Sequence, residues 1–174
     1  PPRVVIANLP TSGDLGGGGS GGAVGDTVRL IAPMVRTLGQ KTKTLSGNTA
    51  VNFNAGTDFT GTGQALGHAD VHTLVSVVET SGSANVTTHF DLDNGQRDDY
   101  YDVGRIKLKT TSNYTAAVAL TVTYKYFSHS TGDFFSVDSY TGQIDYADIP
   151  KLGDIELRSA VDFRPRVGNA GGNF

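Results

Sequence analysis

Between Val118 and Tyr126 every second side chain is apolar or aromatic: Val118, Leu120, Val122, Tyr124 and Tyr126 share one parity, and Thr121, Thr123 and Lys125 take the other. A period of two marks an extended strand with one buried face, because a helix would scatter the same residues around its circumference. Gly104 to Thr110 repeats the pattern, with Ile106 and Leu108 inward and Lys107 and Lys109 outward. Composition agrees. β-branched Val and Thr abound, and two Glu, Glu79 and Glu156, stand against fifteen Asp, so strand formers far outweigh strong helix formers. A helical bundle is excluded.

Shorter strand candidates lie at Arg3 to Leu9, at Thr27 to Leu38 (where Pro33 demands an edge or a bulge), at Lys41 to Leu45 and at Ala50 to Phe53. Val71 to Glu79 and Asn85 to Asp91, joined by Thr80-Ser81-Gly82-Ser83, are expected to form a hairpin, and the Gly/Thr-rich stretch from Ala55 to Gly67 is expected to be loop. About seven or eight strands separated by turn signals predict an all-β fold, an antiparallel β-sandwich of immunoglobulin-like or fibronectin-like form, with a small barrel as the nearest competitor.

The 174 residues suffice for a core of their own. Four segments follow from the pattern: an N-terminal strand segment over 1–15, a Gly-rich linker over 16–22, the sandwich over 23–127, and an extended aromatic-rich arm over 128–174. The linker, Gly16 to Gly22, looks like an engineered joint, with a native Gly-rich loop as the alternative, and it lacks the Lys of a phosphate-binding loop. The opening Pro1-Pro2, without Met, reads as part of a longer polypeptide. In the arm, Phe134, Phe135, Tyr140, Tyr146 and Phe163 are too many rings to leave wet, so they are expected to dock on the sandwich or on a neighbouring subunit.

Several kinds of chemistry are disfavoured. A net charge of −3 with scattered Lys and Arg argues against nucleic acid as a partner. No apolar run approaches the length of a membrane span, so no membrane insertion is expected. No Cys is present for a disulfide, a thiolate metal site or a thiol nucleophile. His68 and His72 are spaced for a helix face, but along a strand they would lie about 13 Å apart and could not share a metal. His89 and His129 are expected to be solvated or hydrogen-bonded, with no catalytic role for any of the four. No nucleophile elbow or triad pattern appears, so neither catalytic residues nor cofactors are expected.

The densest acidic cluster runs from Asp91 through Asp93, Asn94, Gly95, Gln96, Arg97, Asp98, Asp99, Tyr100 and Tyr101 to Asp102. Asn94-Gly95 predicts a tight turn, with Arg97 paired to the surrounding acids. The less favoured alternative is a calcium site built from Asp91, Asp93, Asp98, Asp99 and Asp102, whose spacing does not match an EF-hand. Near the C-terminus, Pro165 holds Arg164 extended in Asp162-Phe163-Arg164-Pro165-Arg166, which puts Arg164 and Arg166 on one side, each able to clamp a carboxylate.

Three stretches together carry a family resemblance: Asp93 to Asp102; Gly132-Asp133-Phe134-Phe135-Ser136-Val137-Asp138-Ser139-Tyr140 with Tyr146-Ala147-Asp148-Ile149-Pro150; and Leu157-Arg158 with Asp162 to Arg166. This order resembles an uncharacterised domain of tail-fibre, baseplate-associated and other virion structural proteins of tailed bacteriophages. The resemblance covers about residues 70–166 and brings no catalytic residues with it. It implies a structural module of the tail or fibre, assembled in the bacterial host cytoplasm, whose partners are other virion proteins or copies of itself, most simply as a trimer. Arg97, Asp98, Tyr100, Tyr101 and Arg164 are the expected structural anchors. The alternative is a carbohydrate-binding module for host surface polysaccharide. With no Trp, sugar stacking would fall to Tyr100 and Tyr101, since Tyr124 and Tyr126 fall on the buried parity.

Overall fold

The computed structural model describes Val35 and residues 37–166. The segment 1–15, the linker 16–22 and nearly all of the expected strand at Thr27 to Leu38 lie outside the described residues. Nine strands are found among the described residues: β1 (Lys43–Leu45), β2 (Thr49–Phe53), β3 (Gln64–Ala69), β4 (Val71–Glu79), β5 (Phe90–Asp93), β6 (Val103–Leu108), β7 (Leu120–His129), β8 (Lys151–Leu152) and β9 (Ile155–Glu156). Among the described residues no helix is long and apolar enough to cross a membrane.

The strands form an all-β sandwich of antiparallel sheets. β7 is the axis of the larger sheet. β4 lies along one side of it, while β1 and β2 share the other side, pairing with its C-terminal and N-terminal parts respectively. The facing sheet has the order β3-β6-β5. Leu120, Val122 and Tyr124 of β7 and Val77 of β4 meet Leu66, Phe90 and Ile106 of the opposite sheet in one core, as the alternation in the sequence requires.

Two local expectations are corrected. The stretch from Ala55 to Gly67 is not loop throughout, since β3 begins at Gln64 and Phe59 inserts its ring edge-on between Phe53 and Phe90. Glycine and threonine hide the strand, and the register break between Ala65 and Ala69 interrupts its alternation. The expected hairpin between Val71–Glu79 and Asn85–Asp91 is reduced to a single bridge, Val78 to Asn85. A 3-10 turn at Thr87–His89 then carries the chain across to β5, which pairs with β6 in the other sheet.

The C-terminal segment is less an extended arm than a folded flap. A 3-10 turn at Val137–Tyr140 is capped by Ser136, and the β8-β9 hairpin follows. Strand alternation gives β7 two roles. Its first half turns Leu120, Val122 and Tyr124 to the sandwich core, and its last turns present Phe127 to a second cluster with Tyr140, Ile149 and Leu157 of the flap. Backbone bridges stitch this flap down: Phe135 and Asp162 exchange both hydrogen bonds, at 2.8 and 2.9 Å, and Tyr101 N–H donates to the Pro165 carbonyl at 2.8 Å. Phe135 and Tyr140 are buried as expected. Tyr146 and Phe163 are not, remaining 60% and 58% exposed, and this corrects the expectation that all five rings dock.

The loop after β5 and the start of β6 each depend on a glycine. Gly95 has φ +80°, and a Cβ there would lie 2.2 Å from the Asp102 carbonyl oxygen, while a Cβ on Gly104 would strike Val71. Gly95→Ala combines left-handed strain with a backbone collision, so a loss of about 3 kcal/mol is expected in urea denaturation. Gly47→Ala, which meets nothing within 4 Å, should stay within about 0.5 kcal/mol of the parent. Equal effects of the two substitutions would contradict this account of the loop.

Candidate functional site

The Asp93-to-Asp102 segment folds on itself. Asp93 Oδ1 accepts from Gly95 N–H and Asn94 Oδ1 accepts from Gln96 N–H, both at 3.0 Å, and Asp102 N–H returns to the Gly95 carbonyl at 2.6 Å. Arg97 lies back across the turn and donates to both oxygens of Asp93, at 2.9 and 2.8 Å, and to Asp102 at 3.3 Å. The Arg97 fork holds the Asp93 carboxyl below its ordinary value. This is the expected turn with its ion pairs. Asp91, Asp98 and Asp99 stay exposed, and among the described residues no three His, Asp or Glu side chains gather to hold a metal ion.

That turn aims Gln96 and Tyr101 inward, where they meet a network of charged groups between the sandwich and the flap. Lys43 and Asp70 are each 1% exposed, and Lys43 Nζ donates to Asp70 Oδ2 at 2.6 Å. His129 Nε2 lies 2.7 Å from the same oxygen, and Gln96 Nε2 donates to Asp70 Oδ1 at 3.3 Å. The Tyr101 hydroxyl accepts from Lys43 Nζ at 3.0 Å and from Arg164 at 3.1 Å, and donates to Asp162 Oδ2 at 2.5 Å. Arg164 closes the far end by donating through Nε and a terminal nitrogen to the two oxygens of Asp162, at 2.9 and 2.7 Å, and to the Arg97 carbonyl at 2.7 Å. Aromatic faces wall the cation: Lys43 Nζ sits 4.5 Å from the ring centre of Tyr101, 4.7 Å from Phe135 and 4.9 Å from Tyr140.

Each member is placed by a definite element. Lys43 of β1 is the direct cross-strand partner of His129 at the end of β7, so both side chains turn to one face. Asp70 is the corner between β3 and β4 at φ +55°, a left-handed conformation that Asp tolerates better than most residues. Asp162 and Arg164 arrive on the flap through the Phe135 bridge.

Burial governs the electrostatics. It pushes the Lys43 amine below its ordinary value, against the opposing pull of Asp70. For Asp70, burial pushes the carboxyl up, but the Lys43 ammonium and the His129 hydrogen bond overcome it and hold the group at about 2. Burial lowers His129, and the Tyr101 phenol is driven up, again mainly by burial. Two cations and two carboxylates, with a neutral imidazole, leave the network balanced, as so much buried charge requires.

Of the residues that the sequence singles out, Gln96, Arg97, Tyr101, Asp162 and Arg164 come together here. Asp98 is exposed and Tyr100 half-buried, so neither anchors the interior. Phe163 and Pro165 are exposed beside the network. Tyr101 is fully buried and cannot stack on a sugar, which corrects its reading as a glycan contact. Lys43, Asp70 and His129 escaped the sequence reading as a site. The usable signals were weak: Lys43 shares parity with Leu45, and Asp70 stands between apolar Ala69 and Val71. Comparison with protein-family models, curated proteins and solved structures finds no match to this chain.

Two outcomes follow. Tyr101→Phe removes the hydroxyl shared by Lys43, Arg164 and Asp162 and should cost about 1–3 kcal/mol in urea denaturation, with the fold retained. Acid should weaken the protein in two stages. His129, His68 and His72 all have imidazoles lowered by burial, so below pH about 6.5 the unfolded chain takes up protons that the folded one refuses, and stability declines. Asp93 and Asp162 are held below their ordinary values; the stability they contribute is complete above pH about 4 and disappears as pH falls through their folded values. Denaturation midpoints at pH 7, 5.5 and 3 test both stages, and a flat response between pH 7 and 5.5 would refute the imidazole part.

Proposed function

We propose that this chain is a structural module of a tailed-bacteriophage virion, a tail-fibre or baseplate-associated scaffold and protein-protein interaction unit rather than a catalyst. One observation carries the reading. The three stretches behind the family resemblance converge on one interior knot: Gln96, Arg97 and Tyr101 from the first, Phe135 and Tyr140 from the second, Asp162 and Arg164 from the third. Residues far apart in the chain are thereby spent on locking a flap to a sandwich, which suits a part that transmits position and load. The knot is closed to any substrate, since Lys43, Asp70 and Tyr101 are all but inaccessible.

The outer side of the flap offers a surface for assembly. Ile155, Val161 and Phe163 are each more than half exposed, beside a groove of about 390 Å³ that Leu152 and Leu157 line and Asp98 and Asp99 rim. Apolar centres with polar edges are characteristic of protein-protein contacts. In the native particle the partners are other virion proteins or further copies of this chain, a trimer being the simplest fibre geometry.

Antibody raised against the chain should label the tail or fibre of purified particles of the encoding phage. Absence of the chain from such particles by peptide mass spectrometry would overturn the proposal. In solution, Val161→Asp with Phe163→Asp should weaken self-association or capture of the neighbouring virion protein about thirtyfold or more, as expected for loss of a central contact worth about 2 kcal/mol. The circular dichroism spectrum should not change.

A further inference from the structure

We propose that Lys43 and Asp70 condense after folding into an intramolecular side-chain amide, joining Nζ to Cγ with loss of one water. The reactants are already in contact, with Nζ 2.6 Å from Oδ2, and both side chains are closed off from solvent. Fixing two groups in this way replaces an encounter by an effective concentration of about 10⁵–10⁸ M when the alignment is good. The aromatic wall of Tyr101, Phe135 and Tyr140 excludes water, so the balance between amide and hydrolysed acid shifts toward the amide. This chemistry holds whatever the chain assembles into.

The step balances within the site. The ammonium of Lys43 gives one proton to Asp70 Oδ2, which leaves a free amine and a neutral acid. The Nζ lone pair attacks Cγ, the new C–N bond forms, and the electrons of the carbonyl move onto Oδ1. One of the two remaining nitrogen protons passes to the hydroxyl at Oδ2, the Cγ–Oδ2 bond breaks, water departs and the carbonyl re-forms. Nothing is oxidised or reduced. Burial lowers the cost of the first transfer, because a neutral amine and acid are cheaper in an apolar enclosure than two ions, and it pushes the Lys43 amine below its ordinary value. The Asp70 carboxyl, held at about 2, opposes the transfer, so the neutral pair is a minor form through which the slow condensation passes.

Neighbouring groups suit each stage. Gln96 Nε2 faces Oδ1, where negative charge develops, at 3.3 Å. His129 Nε2 sits 2.7 Å from Oδ2, where the N–H of a neutral imidazole hydrogen-bonds the departing oxygen. Tyr101 spends its own proton on Asp162 and so turns a lone pair to Nζ; it acts as a positioning residue. The product also finds its partners in place. The amide oxygen keeps Gln96, and the amide N–H keeps the Tyr101 hydroxyl, so a neutral, satisfied group replaces a buried ion pair.

The test is the intact mass of the full chain, measured in denaturant after folding. The expected mass is one water below the sum of the sequence, and chymotryptic digestion should yield a branched peptide joining a segment with Lys43 to one with Asp70. Trypsin should no longer cut after Lys43. Lys43→Arg keeps a cation but cannot form the amide, and should show its full mass with native circular dichroism. A folded parent chain at full sequence mass after prolonged incubation would overturn the proposal whether or not the variant folds, as would a water deficit that persists in Lys43→Arg.

Discussion

A single carboxylate, that of Asp70, fixes the relation between the parts of this molecule. It sits on a left-handed corner between two strands that belong to different sheets, and receives hydrogen bonds from β1 through Lys43, from the glycine turn through Gln96 and from the end of β7 through His129. Its backbone carbonyl accepts from Phe127 N–H at 3.0 Å. A buried charge with so many donors has one arrangement in which all are satisfied. Slipping any strand by one residue would strand an ion in an apolar enclosure, at a cost of several kcal/mol per ion. The contribution of the network is therefore register as much as stability. It selects one docking of flap on sandwich among several that apolar contacts alone would tolerate.

Tyr101 extends this constraint to the C-terminal end. Its hydroxyl stands between the Lys43–Asp70 pair and the Asp162–Arg164 pair, and its ring lies against both cations, 4.5 Å from Lys43 Nζ and 4.4 Å from the Arg164 guanidinium carbon. A phenol serves where neither a carboxylate nor an aliphatic residue would. It presents one donor and two acceptor sites at the tip of an apolar disc, so it bridges ions without adding charge. The buried ionic groups form one connected system, and disturbance at either end reaches the other through a single oxygen.

The sandwich was legible because its chemistry is periodic. Leu120, Val122 and Tyr124 announce a half-buried strand without knowledge of its partners, and Gly95 announces a turn through backbone geometry that few other residues tolerate. β3 was missed because glycine and a register break erase the alternation on which such a reading relies. The network was half legible for a different reason. Arg97, Tyr101 and Arg164 stand in dense local motifs, whereas Lys43, Asp70 and His129 are solitary residues whose importance comes only from meeting one another across 27 and 59 positions of chain. A lone lysine in a strand is ordinarily a solvated one. Only the flap that closes over β1 and β7 makes this one interior, and no periodicity encodes where that flap comes to rest.

The same geometry is compatible with the proposed load-bearing role despite an interior so rich in charge. Hydrophobic burial is non-directional and yields gradually when layers slide, whereas a network of short, oriented hydrogen bonds resists until its geometry fails. β1 and β2 are short, and both lie on one side of β7 with few ladder bonds of their own, so the sheet alone gives β1 little hold against a pull. Lys43 supplies that hold by tying β1 through the interior to the β3-β4 corner. A tension applied toward the N-terminal side of β1 would thus be carried by the Lys43–Asp70 link before it reached the ladder. Replacing that ion pair by a covalent amide would convert a contact of limited strength into one that cannot be pulled apart without breaking a bond.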